Sequence, residues 1–267
     1  MRNVLAIAKK ELLGYLTTMW GWAFFTFTAL ISSISFLAAL FDFKKLQDEA
    51  RLRGGWDKLP PEVQNFKNLT DGIVIPLWSV VLFLTLIFAA MLSARLFAEE
   101  RKQKTMELLL TAPVRSIEIV LGKYFGGVGI VFLMLSVTLT YPAVLAIIGS
   151  SESGHALDWG TVFSGYLAML LIGATAMAVG MFISSLTESV IVAALVSTIV
   201  MLLWMLSRSL VPAEEPARSF VNYFMLDSNI VNLIKGILDP RPIVFFTSVI
   251  AVFVMLTHRT VESERWS

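Results

Sequence analysis

The chain has 267 residues, 57% of them hydrophobic and 15% charged, with a net charge of +1 and a mean hydropathy of +0.76. Soluble domains are far more polar, so the composition points to a protein dissolved in a bilayer. The near-neutral charge offers no electrostatic basis for binding nucleic acid, and the lack of cysteine excludes disulfides, thiolate metal sites and a cysteine nucleophile.

In Val4–Met19, residues Leu5, Ala8, Leu12, Leu16 and Met19 share one helical face, while Lys9, Lys10, Thr17 and Thr18 lie opposite. This spacing predicts a helix in the membrane interface, broken from the next segment near Gly14 and the Thr17-Thr18 pair. The alternative is a frayed extension of the first span. The mixed residues before Trp20, including Lys9, Lys10 and Glu11, do not read as a cleavable signal.

A transmembrane helix needs about 20 apolar residues to cross about 30 Å of hydrocarbon. Residues 20–41, 73–94, 124–149, 161–185 and 189–207 meet or approach that length, and Glu188 is the one charge interrupting the last pair. A sixth span, 242–257, is short and relies on His258 and Arg259 snorkelling to the interface. The predicted fold is an all-α integral membrane protein with six transmembrane helices in a single domain over 1–267.

Between the first two spans, 42–72 balances six acids against six bases, and Pro60-Pro61 before Glu62 predicts a helix start. After the fifth, Ile230, Leu233, Ile234, Ile237 and Leu238 form an apolar stripe that Asp227 or Ser228 can cap. With the N-terminus inside, inner segments hold eleven Lys and Arg and outer segments ten, so charge alone barely orients the chain.

The segment between spans two and three, 95–123, carries ten charges around the triplet Leu108-Leu109-Leu110. An apolar cluster in such a loop is expected to be covered by the bilayer surface or by a partner protein. Span two is expected to continue through Arg95–Lys102. Thr105 can cap a short transverse helix with Glu107 in its first turn, presenting Met106, Leu109 and Leu110; Pro113 ends it, and Ser116 can cap the next helix with Glu118 in its first turn. The other reading is a solvated hairpin in which Arg101, Lys102 and Lys104 anchor the topology.

Inside the spans, Gly122 with Gly126, and Ala176 with Gly180 and Ser184, permit close helix contact, either within the chain or between copies. Ser32, Ser33, Ser35, Thr138 and Thr140 can bond to their own helices, and Tyr141-Pro142 predicts a kink. The absence of charge within the spans argues against ion coupling. The run Ser151-Glu152-Ser153-Gly154-His155 is read as plain loop rather than a hydrolase centre.

The run Glu99-Glu100-Arg101, then Thr105-Met106-Glu107-Leu108-Leu109-Leu110-Thr111-Ala112-Pro113-Val114, then Glu118–Lys123 resembles the cytoplasmic loop of ABC type 2 permeases. The likeness extends to the amphipathic N-terminal helix, the six-span layout and the 228–241 tail, and is nearest to the gliding-motility and nitrous-oxide-reductase-maturation type. It implies an exporter permease with a coupling helix between spans two and three. The residues it assigns to ATPase coupling are Glu99, Glu100, Arg101, Thr105, Met106, Glu107, Leu108, Leu109, Leu110 and Pro113. It further implies a separate ABC ATPase subunit, a second permease (a copy or a sister), a bacterial inner-membrane location and cytoplasmic termini. Lys104 stands where the family usually has glycine, which predicts a softer helix break.

No GxxxxGK[ST] motif occurs, and Gly122-Lys123-Tyr124 is a poor fragment of one. The expectation is therefore a non-enzymatic chain without a cofactor of its own, ATP and Mg being held by the partner. An ion-driven secondary transporter or a non-transport membrane scaffold is the competing reading.

Overall fold

The computed structural model describes residues 2–106, 114–152, 157–210, 230, 232–237 and 239–264. Its α-helices are α1 (Arg2–Thr17), α2 (Met19–Arg53), α3 (Ile75–Ser93), α4 (Arg95–Lys102), α5 (Ser116–Thr138), α6 (Thr140–Glu152), α7 (Trp159–Ser185), α8 (Val190–Leu210) and α9 (Pro240–Glu264). Among the described residues, six helical stretches are long and apolar enough to cross a membrane: Gly21–Arg53, Thr70–Lys102, Ser116–Ile147, Trp159–Ser185, Val190–Ser207 and Pro240–Ser263. The protein is an all-α integral membrane protein.

The break between α1 and α2 falls where the threonine pair predicts it. Thr17 donates to the carbonyls of Leu13 (2.9 Å) and Gly14 (3.3 Å), Thr18 donates to Gly14, and Thr18 is extended at φ −89°, ψ 140°. These hydroxyls bond to the last carbonyls of α1, which favours a helix end.

Span one runs further than expected. The charged residues after Phe41 continue α2 to Arg53, because Asp42–Lys45 (3.9 Å) and Glu49–Arg53 (2.6 Å) pair along the helix. Phe43 and Ala50 are buried, and Gly54, at φ +82°, ends the helix in the left-handed region. The helix expected at Pro60-Pro61 does not form: a turn leads to a single 3₁₀ turn at Gln64–Lys67, with the Gln64 amide donating to the Leu59 carbonyl at 2.8 Å.

Span six is also longer than its apolar core. Pro240 and Pro242 stand in its first turn, and Glu262 lies 3.7 Å from both His258 and Arg259 in the last turns. Span three breaks at Leu139, between α5 and α6, as Tyr141-Pro142 predicts. Proline lacks the N–H that would reach the Thr138 carbonyl, and its ring crowds that position.

The core lies along α3 and α7, whose membrane-spanning windows are 67% and 72% buried, against 17% for α2 and α8. Small residues on α7 make the seam. A Cβ on Gly165 would meet the Trp78 indole at 2.3 Å, one on Gly173 the Val131 and Thr85 side chains, and one on Gly180 the Ser93 hydroxyl. The α7 stripe thus packs within the chain. At the opposite end of α7, Asp158 caps the helix, accepting from Gly160 N–H (3.0 Å) and the Thr161 hydroxyl (2.6 Å); these bonds hold its carboxyl below the usual range. Ser164 reaches the Leu233 carbonyl at 2.7 Å, pinning the short helical segment after α8 onto α7. In that segment Ile230 and Leu233 are buried, whereas Ile237 is exposed; Asp227, Ser228 and Leu238 lie outside the described residues.

Candidate functional site

The charged segment leaves the bundle on α4 and returns on α5, and its two ends are joined by Lys123. This side chain is only 2% exposed; its Nζ donates to Glu11 Oε1 (3.0 Å) and Glu100 Oε1 (2.8 Å) and lies 5.3 Å from the Phe97 ring centroid. A buried ammonium costs several kcal/mol unless it is paired. Two carboxylates and an aromatic face supply that pairing, Glu11 from α1 and Glu100 and Phe97 from α4. The three helices α1, α4 and α5 are therefore tied at one point.

Close backbone packing makes this possible. A Cβ on Gly122 would lie 2.6 Å from Ile7 Cβ and 3.1 Å from the Val4 carbonyl oxygen; one on Gly126 would lie 2.6 Å from Glu11 Cβ and 3.0 Å from the Ala8 carbonyl oxygen. The GxxxG pair is the seat of α1. α1 turns Val4, Ile7, Glu11 and Tyr15 towards the bundle together with Ala8, Leu12 and Leu16 of the predicted apolar face, while Leu5 and Met19 of that face are 70% and 86% exposed. Glu11 joins this inward side through its pair with Lys123.

Asn3 donates to Glu118 Oε2 (3.2 Å), which also accepts from the Arg115 N–H (3.3 Å). The expected cap on α5 is thus shifted: Arg115 takes the position before the helix and Ser116 is buried within it. At the other end of α1, the Tyr15 hydroxyl donates to the Leu92 carbonyl at 2.9 Å, and burial raises its pKa well above the ordinary tyrosine value. Tyr15 lines a polar crevice of about 110 Å³ with Glu11, Gly14, Thr18, Arg95 and Glu99. Arg95 and Glu99 close one wall with a two-point pair, at 3.0 and 3.2 Å.

The exit from α4 is sharp. Thr105 N–H donates to the Glu100 carbonyl and Lys104 N–H to the Arg101 carbonyl, each at 3.0 Å, with Lys104 at φ +55°. This is the hydrogen-bond pattern with which Gly54 closes α2, carried here by a lysine in the left-handed conformation that favours glycine. The softer break expected from the missing glycine is not found, because the two bonds hold Lys104 in the glycine conformation.

Of the residues assigned to coupling, Glu99, Glu100 and Arg101 lie on α4, and the Glu188 carboxylate in the α7–α8 joint is close enough to Arg101 to favour its charged form. The Thr105 hydroxyl donates back to the Glu100 carbonyl at 3.3 Å. Met106, expected on the outward side of the loop, is buried in the core at 5% exposure. Glu107, Leu108, Leu109, Leu110 and Pro113 lie outside the described residues.

Two contacts escaped sequence reasoning. Nothing in the spacing pairs Glu11 with Lys123, 112 positions apart; the available signal was a lone lysine inside an otherwise apolar run. Ser184 is marked by the sequence only as one of a row of small residues, not as the hydroxyl that sits in the joint between α3 and α4.

No curated protein matches the sequence significantly. Residues 5–260 match the model of the family described as ABC-2 family transporter protein. With six membrane-length helices, a charged loop rooted on α4 and α5, and a family match over nearly its whole length, the chain belongs to the ABC-2 transporter family and is a membrane permease subunit.

Proposed function

We propose that the protein is an exporter permease of the gliding-motility or nitrous-oxide-reductase-maturation type, driven by a separate ABC ATPase that docks on 95–123. In this reading two permeases, identical or sister chains, enclose the substrate path. The loop and both termini face the cytoplasm of a bacterial inner membrane, and the ATPase partner binds ATP and Mg.

The observation that carries this reading is the Lys123 cluster. A loop that merely marked topology would need no buried ion pair at its root, whereas a loop that receives mechanical work must pass displacement into the spans. Lys123 joins Glu100 at the start of the loop to Glu11 on α1, and α1 leads directly into span one. Displacement at the loop therefore reaches spans one, two and three together.

The test is co-purification with the ATPase at matched membrane expression. Leu109→Asp puts a charge into the proposed apolar contact and is expected to weaken association about a thousandfold, corresponding to about 4 kcal/mol. Glu107→Ala should act more mildly, and charge reversal at Lys58, in the outer loop, should leave association unchanged. Retention of the ATPase by Leu109→Asp at the level of the Lys58 variant would overturn the docking assignment.

A further inference from the structure

We propose that the outward face of α1 is a docking surface for anionic phospholipid headgroups. The inner face of the helix is occupied, since Val4, Ile7, Ala8 and Glu11 lie against Gly122 and Gly126. Glu11 is the only acid in α1, and it is turned inward to Lys123. What remains outside is uniformly basic: Arg2, Lys9 and Lys10 are all exposed. No ion pair joins Lys9 or Lys10 to a carboxylate among the described residues.

The same face is also apolar. Leu5, Lys9 and Leu13 follow one another at four-residue intervals, so they form one row along the helix, with Leu5 70% and Leu13 47% exposed. Beyond the elbow, Met19 and Trp22 are 86% and 63% exposed. Water would strand the leucines, and hydrocarbon would strand the ammonium groups. A headgroup layer accommodates both, with leucines dipping towards the acyl chains and lysine stems snorkelling to the phosphates. The end of α1 is already at the bilayer: Leu16 borders an apolar groove with Trp22, Phe25 and Leu133 of spans one and three.

Charge fixes the lipid class. Lys9 and Lys10, exposed and without an ion-pair partner among the described residues, favour an anionic headgroup over a zwitterionic one, by about fivefold for each cation near the surface. The selectivity therefore depends on the fold, because Glu11 would neutralise part of the face if Lys123 did not hold it inward.

The experiment uses the full chain extracted from vesicles of phosphatidylcholine with a minority of phosphatidylglycerol, measuring the ratio of the two lipids retained. The wild type should retain phosphatidylglycerol well above the bulk ratio, and the enrichment should fall at high salt. Lys9→Gln combined with Lys10→Gln, both exposed positions, should reduce the enrichment at least tenfold. Lys58→Gln should leave it unchanged. The absence of wild-type enrichment, or its survival in the double variant, overturns the proposal. An unchanged lipid ratio in the double variant, with loss of the ATPase in a separate co-purification, also overturns it and would reassign the basic face to a protein partner. Because the lipid ratio is read on the isolated permease, it is independent of whether 95–123 docks an ATPase.

Discussion

The Ser184 hydroxyl on α7 donates to the Ala94 carbonyl at 2.6 Å while accepting from the N–H groups of Phe97 (3.1 Å) and Ala98 (2.9 Å). Ala94 is the joint between α3 and α4, and no proline or glycine occupies it. One serine thus supplies a donor and two acceptor lone pairs, its full capacity, to three backbone groups that a continuous helix would bond internally. The bend in span two is held from a neighbouring helix, at the level where the charged loop begins.

Replacing Ser184 should therefore be costly. Ser184→Ala leaves a buried carbonyl and two buried amides without their partner, and the penalty is expected to be about 2–4 kcal/mol. Straightening the helix would recover the bonds only by moving Leu96 and Phe97, which are 1% and 0% exposed, out of the core. Thermal unfolding in detergent should show a clear loss for Ser184→Ala and almost none for Ser136→Ala, whose hydroxyl bonds only within its own helix. Equal melting of the two variants would remove Ser184 from this role.

Lys104 gives a prediction of opposite sign. A lysine at φ +55° pays a steric cost that glycine does not. Lys104→Gly should raise stability by about 1 kcal/mol, the left-handed penalty being partly offset by the greater backbone entropy of glycine. Lys104→Val should lower it, because a β-branched residue fits that conformation worse. A melting series of lysine, glycine and valine at this position checks the order.

The ion cluster can be tested by removing its centre. Lys123→Ala leaves Glu11 and Glu100, whose side chains are each 17% exposed, facing one another without a cation. A loss of about 3–5 kcal/mol is expected, together with release of α1, detectable as faster proteolysis of the first 17 residues. Combining Lys123→Met with Glu11→Gln and Glu100→Gln removes the uncompensated charge and should restore most of the stability. If the triple variant melts as low as Lys123→Ala, loss of the amine's packing rather than of its charge explains the effect.

The spans and the breaks between helices were legible because they follow from local chemistry: apolar runs of membrane length, the Thr17-Thr18 pair, and Pro142 after Tyr141. What stayed hidden depends on partners distant in sequence. The apolar spacing of α1 groups Ala8, Leu12 and Leu16, which are half-buried, with the exposed Leu5 and Met19, and gives no sign that Glu11 pairs with Lys123 on the inward side. Likewise, 42–53 looks like loop by charge count and becomes helix because its acids and bases fall at helical spacing. The glycines of the Gly122–Gly126 pair signal close contact without naming the element that fills it, and α1 fills it.

The orientation of the bundle decides which side the 95–123 loop serves, and the lack of native cysteine allows a direct test. Gln64 lies in the turn beyond α2, and Gln103 ends α4 next to the exposed Lys104. α3 and α4 run between them, with an apolar window 67% buried inside the protein, so the two positions fall on opposite sides of a membrane. With cytoplasmic termini, a cysteine at Gln64 should react with an impermeant maleimide in intact cells, and one at Gln103 only after permeabilisation. Position 64 is half-buried, so its cysteine should be labelled more slowly than one at the exposed Lys58 nearby. Labelling of Gln103→Cys in intact cells, with protection of Gln64→Cys, would place the loop outside, where no cytoplasmic ATPase could reach it.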